Sequence, residues 1–567
     1  MTAESQETRF DIAVLGAGAA GFSAAITAAL QGAKVILIER TEFVGGTSAY
    51  SAATTWVPNT RLSATVGASD SYDNALKYLD NAVGELAPRE LREAFLRSGP
   101  DAIHALMDRA GIPFRARPHH PDYLIELEGG TACGRALEPL PFDGSCLGED
   151  LKLIRPPIPE FTILGGLMVD RDDIAHLLKM GKSLRSLLYS MRLLGRYGLD
   201  RIRFGQSTRL VMGRALIGRM LFAARRLGVD IRTQTQVIDI QPTKNGTNLT
   251  LKHNGLTTQM AVRQGVILAS GGFARHPKRR ERLLPKPVPE YSPSAPGHTG
   301  ELHDLVENIG ATYGSGGIHP IFMAPVSVRK RPSGEMAAFP HFVFDRSKPG
   351  MISVGRDGRR FVNESRSYHE FSAAMFANNQ QQEGNTVPTF LVTDAEGLRK
   401  YGMGMIRPGG KGMEPFLADG YLTQAESLEQ LANQLEINAA NLQETVARMN
   451  RFADSGVDED FHRGETIYER ANGDPNQGPN VTLGAISTPP FYAVRLYPSD
   501  IGSATGLRTN RNAQLLDKNG QPIRGLYACG NDMHSIMGGV YPGPGITIGP
   551  GIVFGYIAAM HATGDHR

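Results

Sequence analysis

Apolar positions near the N-terminus fall in short, dense runs, and further along the chain they spread into longer periodic stretches. Phe10–Leu15 (FDIAVL) is a buried-strand pattern, helical spacing follows to about Gln31, and Lys34–Ile38 (KVILI) is a second apolar run. Strand, helix and strand in that order predict a parallel βαβ unit. Val229–Ile240 and Leu249–His253 predict strands of a hairpin-rich insertion, and Gly265–Ser270 (GVILAS) another buried strand. Leu417–Ala453 has helical spacing, Thr488–Leu496 is extended, Gly525–Cys529 reads as a last strand, and Ile552–Met560 as a closing helix. Lys182–Phe204 predicts a basic amphipathic helix. Its preferred reading is an apolar face packed on the protein with arginines in solvent, and a peripheral membrane contact is the alternative.

The first strand runs directly into Gly16-Ala-Gly18-Ala19-Ala20-Gly21, and the second ends in Glu39 and Arg40. Glycines for a tight turn, a close backbone approach and helix packing, with an acid at the second strand end, form a dinucleotide fingerprint in its required context. The helix start offers free N–H groups and positive dipole to a pyrophosphate. Glu39 is placed for a ribose hydroxyl pair and disfavours a 2′-phosphate. Gly45-Gly46-Thr47-Ser48 predicts a second close approach to a long cofactor, and Gly530-Asn531 a glycine turn far downstream.

Composition narrows the class. With 567 residues, 41% apolar and 21% charged, the chain has room for two or more domains. A net charge of +3 gives no case for nucleic acid, and three cysteines without metal-ligand spacing give none for a disulfide framework or a metal. The N-terminal MTAESQETRF lacks a signal-peptide pattern, and no apolar run reaches the roughly 18 residues of a membrane span. A cytoplasmic protein is expected. From about Pro285 the composition shifts to Pro, Gly and His. The expected architecture is a discontinuous nucleotide domain, 1–287 and 488–567, around a second domain, 288–487.

Val44–Pro58, Met351–Phe371, Pro489–Gly506 and Leu526–Gly555 together resemble the 3-ketosteroid dehydrogenases of the fumarate-reductase-like flavoprotein superfamily. The most specific piece is Tyr541-Pro-Gly-Pro-Gly545 followed by Thr547 and Gly549-Pro550. The resemblance implies an α/β fold, with a glutathione-reductase-like Rossmann FAD domain and an α+β capping domain. It implies noncovalent FAD, since no histidine stands near Ser48. It also implies that Val237 meets adenine through its backbone and that Ser270 and Gly271 lie against the cofactor. The closing helix follows the glycines, and its dipole and free N–H groups around Thr547 and Ile548 are placed to stabilise negative charge on the flavin.

In that family the YPGPG tyrosine hydroxyl and last-glycine N–H bind the substrate ketone, here Tyr541 and Gly545. Arg360-Phe-Val-Asn363-Glu364-Ser365-Arg366-Ser-Tyr368 resembles the segment whose tyrosine is the general base. Tyr123 in HHPDYLIEL resembles the assisting tyrosine. Two aimed donors on a ketone stabilise enolate character and acidify the α carbon. The expected reaction is α,β-dehydrogenation of a cyclic ketone, a 3-ketosteroid first and a smaller cyclohexanone second, with an unidentified electron acceptor. A fumarate- or urocanate-type reductase is the rival, disfavoured because Tyr368 stands where an arginine would serve. His534 is expected to hydrogen-bond behind the flavin turn. Trp56 has two readings, pocket lining and plain packing. Tyr189 and Tyr197 are weaker candidates for a substrate channel.

Overall fold

The computed structural model describes residues 9–564, so the N-terminal segment read for a signal peptide lies mostly outside it. Strand β1 (Arg9–Leu15), helix α1 (Ala19–Leu30) and strand β2 (Val35–Ile38) form the expected parallel unit, with Val14 beside Leu37. All four residues of β2 are buried, as a parallel strand covered on both faces requires. The parallel core of the first sheet runs Asp230–Arg232, β2, β1, Leu256–Leu268, Pro522–Ala528. The first half of Leu256–Leu268 pairs antiparallel with Gly246–His253, which pairs with Thr235–Thr243.

A single residue divides the expected Val229–Ile240 strand. Gln234 takes φ 52° and donates its N–H to Thr41 O. The residues before it extend the parallel sheet and those after it start the hairpin.

The second sheet is antiparallel, in the order Met336–Pro340, Ile321–Lys330, Phe491–Ser503, Thr389–Asp394, Ile352–Val354, with Leu422–Ala425 also on Phe491–Ser503. The expected re-entry at residue 488 therefore precedes a strand of this second sheet. The first sheet is rejoined only at Gln514–Leu516. The helical stretch expected over Leu417–Ala453 begins in the last residues of helix Glu414–Ala418 and then divides into three further elements. Strand Leu422–Ala425 leads to Ser427, whose hydroxyl caps helix Leu428–Leu435, and Asn438 caps Ala439–Ser455. Glu436, at φ 58°, ends the first of these helices, and the N-capping side chains start each one where apolar spacing alone reads through.

The C-terminal helix Ile548–Ala562 packs against α1, and Ser23 Oγ donates to Ile552 O at 2.7 Å. A cavity of about 860 Å3 opens at the C-terminal ends of the parallel strands and continues beneath the second sheet. That end of a parallel sheet is where α/β folds bind nucleotides.

A candidate flavin and ketone site

The cofactor half of the cavity is backbone-rich. Gly16 has φ +115°, and a Cβ there would lie 2.3 Å from Ala269 O. At Gly21 a Cβ would meet Gly16 O at 1.9 Å, so this glycine serves packing and does not line the cavity. Gly18 is different: a Cβ there would meet only Ser48 Oγ, at 3.8 Å, leaving open cavity in front of a helix start whose N-cap residue has no side chain and whose Ala19 N–H donates to Ser48 Oγ at 3.3 Å. An open glycine at a helix N-terminus fits a pyrophosphate. Ala19, Ala20, Glu39, Arg40, Gly46, Thr47, Ser48, Val237, Ser270, Gly271, Gly530, Asn531, Thr547 and Ile548 all line the cavity. Gly45 does not; its N–H donates to Ala17 O at 2.7 Å and holds the loop against the fingerprint.

Several supports here carry no local signal in sequence. Glu39 is fixed by donors from Ala17 N at 3.1 Å and Thr41 N at 2.9 Å. Asp532 accepts from Ser270 N and Gly272 N, and its Oδ1 lies 2.9 Å from His303 Nε2. This buried carboxylate fixes the turn after strand Leu256–Leu268. His298 reaches Thr47 Oγ1 at 3.5 Å, and burial lowers its pKa to about 4. Arg155 donates to Thr41 Oγ1 at 2.8 Å. His534 departs from expectation: it is buried against Gly314, and neither ring nitrogen has a hydrogen-bond partner among the described residues.

The opposite end of the cavity gathers phenols. Tyr123 Oη donates to Tyr368 Oη at 3.3 Å. The Tyr541 ring lies 5.1 Å from that of Tyr368 and stacks on Tyr123 at 5.7 Å. Tyr468 joins them, 4.8 Å from the Tyr123 ring, and its buried hydroxyl has no hydrogen-bond partner among the described residues. Nothing in the sequence marks Tyr468, which arrives from a distant segment. Burial raises Tyr368 well above the ordinary tyrosine range, and neighbouring Tyr123 and Tyr541 add to it. Burial raises Tyr541 to about 12, although hydrogen bonds with Tyr368 and Thr547 oppose the shift. The phenols are therefore protonated at neutral pH in the free protein.

The YPGPG turn is held by the segment that carries Tyr123. Pro542 O accepts from Tyr123 N at 2.8 Å and from Tyr78 Oη at 2.6 Å. Asp122 anchors that segment, with Arg135 Nη1 at 2.8 Å and Trp56 Nε1 at 2.7 Å. Trp56 is thus core, stacked on Phe95, and not pocket lining. Gly545 has φ +91°, and a Cβ there would lie 2.1 Å from Thr54 O. The glycines of this turn are small partly because the chain at Thr54–Trp56 runs against them.

Tyr368 opens the helix Tyr368–Gln381, capped by Ser367, whose Oγ accepts from Glu370 N. The preceding motif is a buried ion network: Arg360 bridges Glu364 at 2.7 Å and Asp458 at 2.8 Å, and Arg463 meets Glu364 at 3.1 Å. Arg366 points away from the cavity, to Glu126 at 2.6 Å and Glu469 at 3.4 Å. Tyr189 and Tyr197 are outside the cavity, bonded to Asp173 and Leu164 O. Its outer wall holds Phe161, Met168, Phe342 and Phe344, with Arg171 beside Phe344.

A glycine cradle that fits a pyrophosphate agrees with the family to which the chain belongs. Residues 11–548 match the family model described as FAD binding domain. This chain is an FAD-binding flavoprotein. It is 33% identical to a 3-oxosteroid 1-dehydrogenase of Mycolicibacterium smegmatis, over 97% of this chain and 96% of that protein. It is 31% identical to a 4-oxocyclohex-2-ene-1-carboxylate 5-dehydrogenase of Sinomonas cyclohexanicum, over 97% and 92%. The crystal structure of a 3-ketosteroid Δ1-dehydrogenase from Sterolibacterium denitrificans, in complex with 1,4-androstadiene-3,17-dione, superposes with TM-score 0.90 at 32% identity, covering 98% and 99%. The flavoprotein is an FAD-dependent oxidoreductase of the ketosteroid dehydrogenase branch, with the Rossmann FAD domain and α+β cap of that group.

Proposed function

We propose that this FAD-dependent dehydrogenase of cyclic ketones desaturates a 3-ketosteroid beside its carbonyl. The observation that carries the reading is the buried cluster of Tyr541, Tyr368 and Tyr123 across the cavity from the glycine cradle. Gly18 and the start of α1 hold the pyrophosphate, Glu39 a ribose, and the backbone at Val237 the adenine. The start of the C-terminal helix at Thr547 and Ile548 faces the ring end. FAD, bound noncovalently, supplies the hydride acceptor.

Tyr541 Oη and Gly545 N–H donate to the ketone oxygen and stabilise the enolate that develops there. Tyr368 takes the α proton. A phenol with a raised pKa is a poor resting base, so its oxygen needs support as it loses its proton to solvent or a neighbour. Tyr123 Oη, which donates to Tyr368 Oη, stabilises that oxygen once it is charged, although in the free protein the neighbouring phenol adds to the rise that burial gives the Tyr368 pKa. Phe342, Phe344 and Met168 provide an apolar wall for a polycyclic ketone and keep water from the α carbon.

A second reading rests on Arg171, which lines the cavity and has no ion pair among the described residues. A guanidinium there suits a smaller ring ketone bearing a carboxylate. A fumarate-type reductase has weaker support, because Arg366 is turned away into its ion pairs. The test is steady-state turnover with an electron-accepting dye on 4-androstene-3,17-dione, 4-oxocyclohexanecarboxylate and cyclohexanone, and with a reduced dye on fumarate. The highest kcat/KM is expected for the steroid. Preference for the carboxylate selects the second reading, and turnover of fumarate alone overturns both.

A further inference from the structure

The helix Leu184–Phe204 is built inside out. Its buried stripe is Ser186, Ser190, Leu193, Tyr197 and Asp200, spaced three and four residues apart and largely polar. The opposite stripe is Leu184, Leu188, Met191, Leu199 and Ile202, exposed from 60% to 87%. Polar contacts lock this orientation. Ser186 Oγ meets His176 Nδ1 at 3.1 Å, Tyr197 donates to Leu164 O at 3.0 Å, and Asp200 accepts from Thr208 N at 2.8 Å. Rolling the helix to bury its leucines would break all three. The sequence reading that packed the apolar face on the protein is therefore reversed.

The neighbouring helix Arg171–Leu178 and the turns beside it add exposed Leu164, Ile174, Leu178 and Met180. An apolar surface of this extent is characteristic of an interaction site. Between residues 179 and 204 the charges beside it are nearly all of one sign. Lys179, Lys182, Arg185, Arg192, Arg196, Arg201 and Arg203 stand against the single, buried Asp200 between residues 179 and 204. Only Arg196 of these cations is in an ion pair among the described residues. The patch also reaches the cavity, since Arg171 and Ile174 line it together with Met168 and Phe344.

We propose that this face docks on an anionic lipid bilayer. The leucine stripe enters the acyl boundary, the flanking cations meet lipid phosphates, and the cavity mouth comes to rest at the lipid surface. No helix among the described residues is long and apolar enough to cross a membrane, so the contact is peripheral. If the steroid reading holds, an apolar ketone dissolved in the bilayer enters without crossing water. The docking itself does not depend on which ketone is oxidised.

The test is co-sedimentation of the full-length flavin-loaded protein with vesicles of phosphatidylcholine alone or with phosphatidylglycerol. Binding is expected with the anionic vesicles and weakens as salt rises. The Leu188→Ser/Ile202→Ser and Arg185→Glu/Arg192→Glu variants are expected to lose at least tenfold in vesicle partitioning. Both keep their flavin and their turnover of a water-soluble ketone, because these side chains lie outside the cavity. Failure to sediment with anionic vesicles overturns the proposal, as does sedimentation unchanged in both variants. A lipid-free dimer that Leu188→Ser/Ile202→Ser converts to a monomer would assign the face to a second copy of the chain and also overturn it.

Discussion

Replacing Tyr541 by Phe removes one oxygen from the site and little else. Its ring lies 5.1 Å from Tyr368, 5.7 Å from Tyr123, 5.3 Å from Phe322 and 5.8 Å from His369, and phenylalanine keeps every one of these contacts. The hydroxyl, raised by burial to about 12, is a proton donor throughout the neutral range. Losing a neutral hydrogen bond costs about 0.5–1.5 kcal/mol of stability. Losing one donor to a developing enolate oxygen costs about 2.7–4 kcal/mol of transition-state stabilisation, a fall of roughly 10²–10³ in kcat. The two effects separate in one experiment that records melting by flavin fluorescence and steady-state kcat on the steroid. The variant should keep its flavin and melt within about 3 °C of the parent, while kcat falls at least a hundredfold. A kcat within about fivefold of the parent, with flavin bound, would refute the carbonyl clamp.

Three further outcomes follow from the same geometry. Gly545→Ala puts a Cβ at φ +91° and 2.1 Å from Thr54 O, so both kcat and melting temperature should fall, unlike Tyr541→Phe; an unchanged melting curve contradicts this. Asp122→Ala leaves buried Arg135 with Asp70 alone and frees Trp56 Nε1, which should cost about 3–5 kcal/mol in denaturant unfolding. The pH profile has two signs. Tyr368 and Tyr541 have folded pKa values above the unfolded one, so their stabilisation is complete below about pH 10 and is lost as pH rises through the folded values. His298, lowered to about 4, and His120 and His369, each lowered to about 3, stabilise the fold above about pH 6.5. That contribution is lost as pH falls through those values. Melting temperature across pH should therefore fall at both ends, and a flat curve from about pH 4 to about pH 11 refutes the assignments.

The βαβ unit was legible because its signals are local: a buried run, glycines at fixed spacing, and an acid at the next strand end. Tyr541 was legible because the turn around it is unusual in sequence. Tyr468, His298 and Arg171 were not, because only long-range packing brings them to the cavity. Phe491–Ser503 shows a different limit. Its apolar pattern identifies a strand but does not say which of two sheets it joins. The helix Leu184–Phe204 shows a third. Periodicity reveals that a helix has two faces, and hydrogen bonds from Ser186, Tyr197 and Asp200 decide which one turns inward.

The claim that Tyr368 removes the α proton so that hydride can pass to FAD is tested most directly by an anaerobic single turnover. The flavin-loaded protein and its Tyr368→Phe variant are mixed with 4-androstene-3,17-dione, and oxidised-flavin absorbance is followed alongside formation of the 1,4-diene. The parent should bleach with one equivalent of diene formed, while the variant binds the steroid with a spectral shift and does not bleach. Bleaching of the variant at the parent's rate would contradict the account.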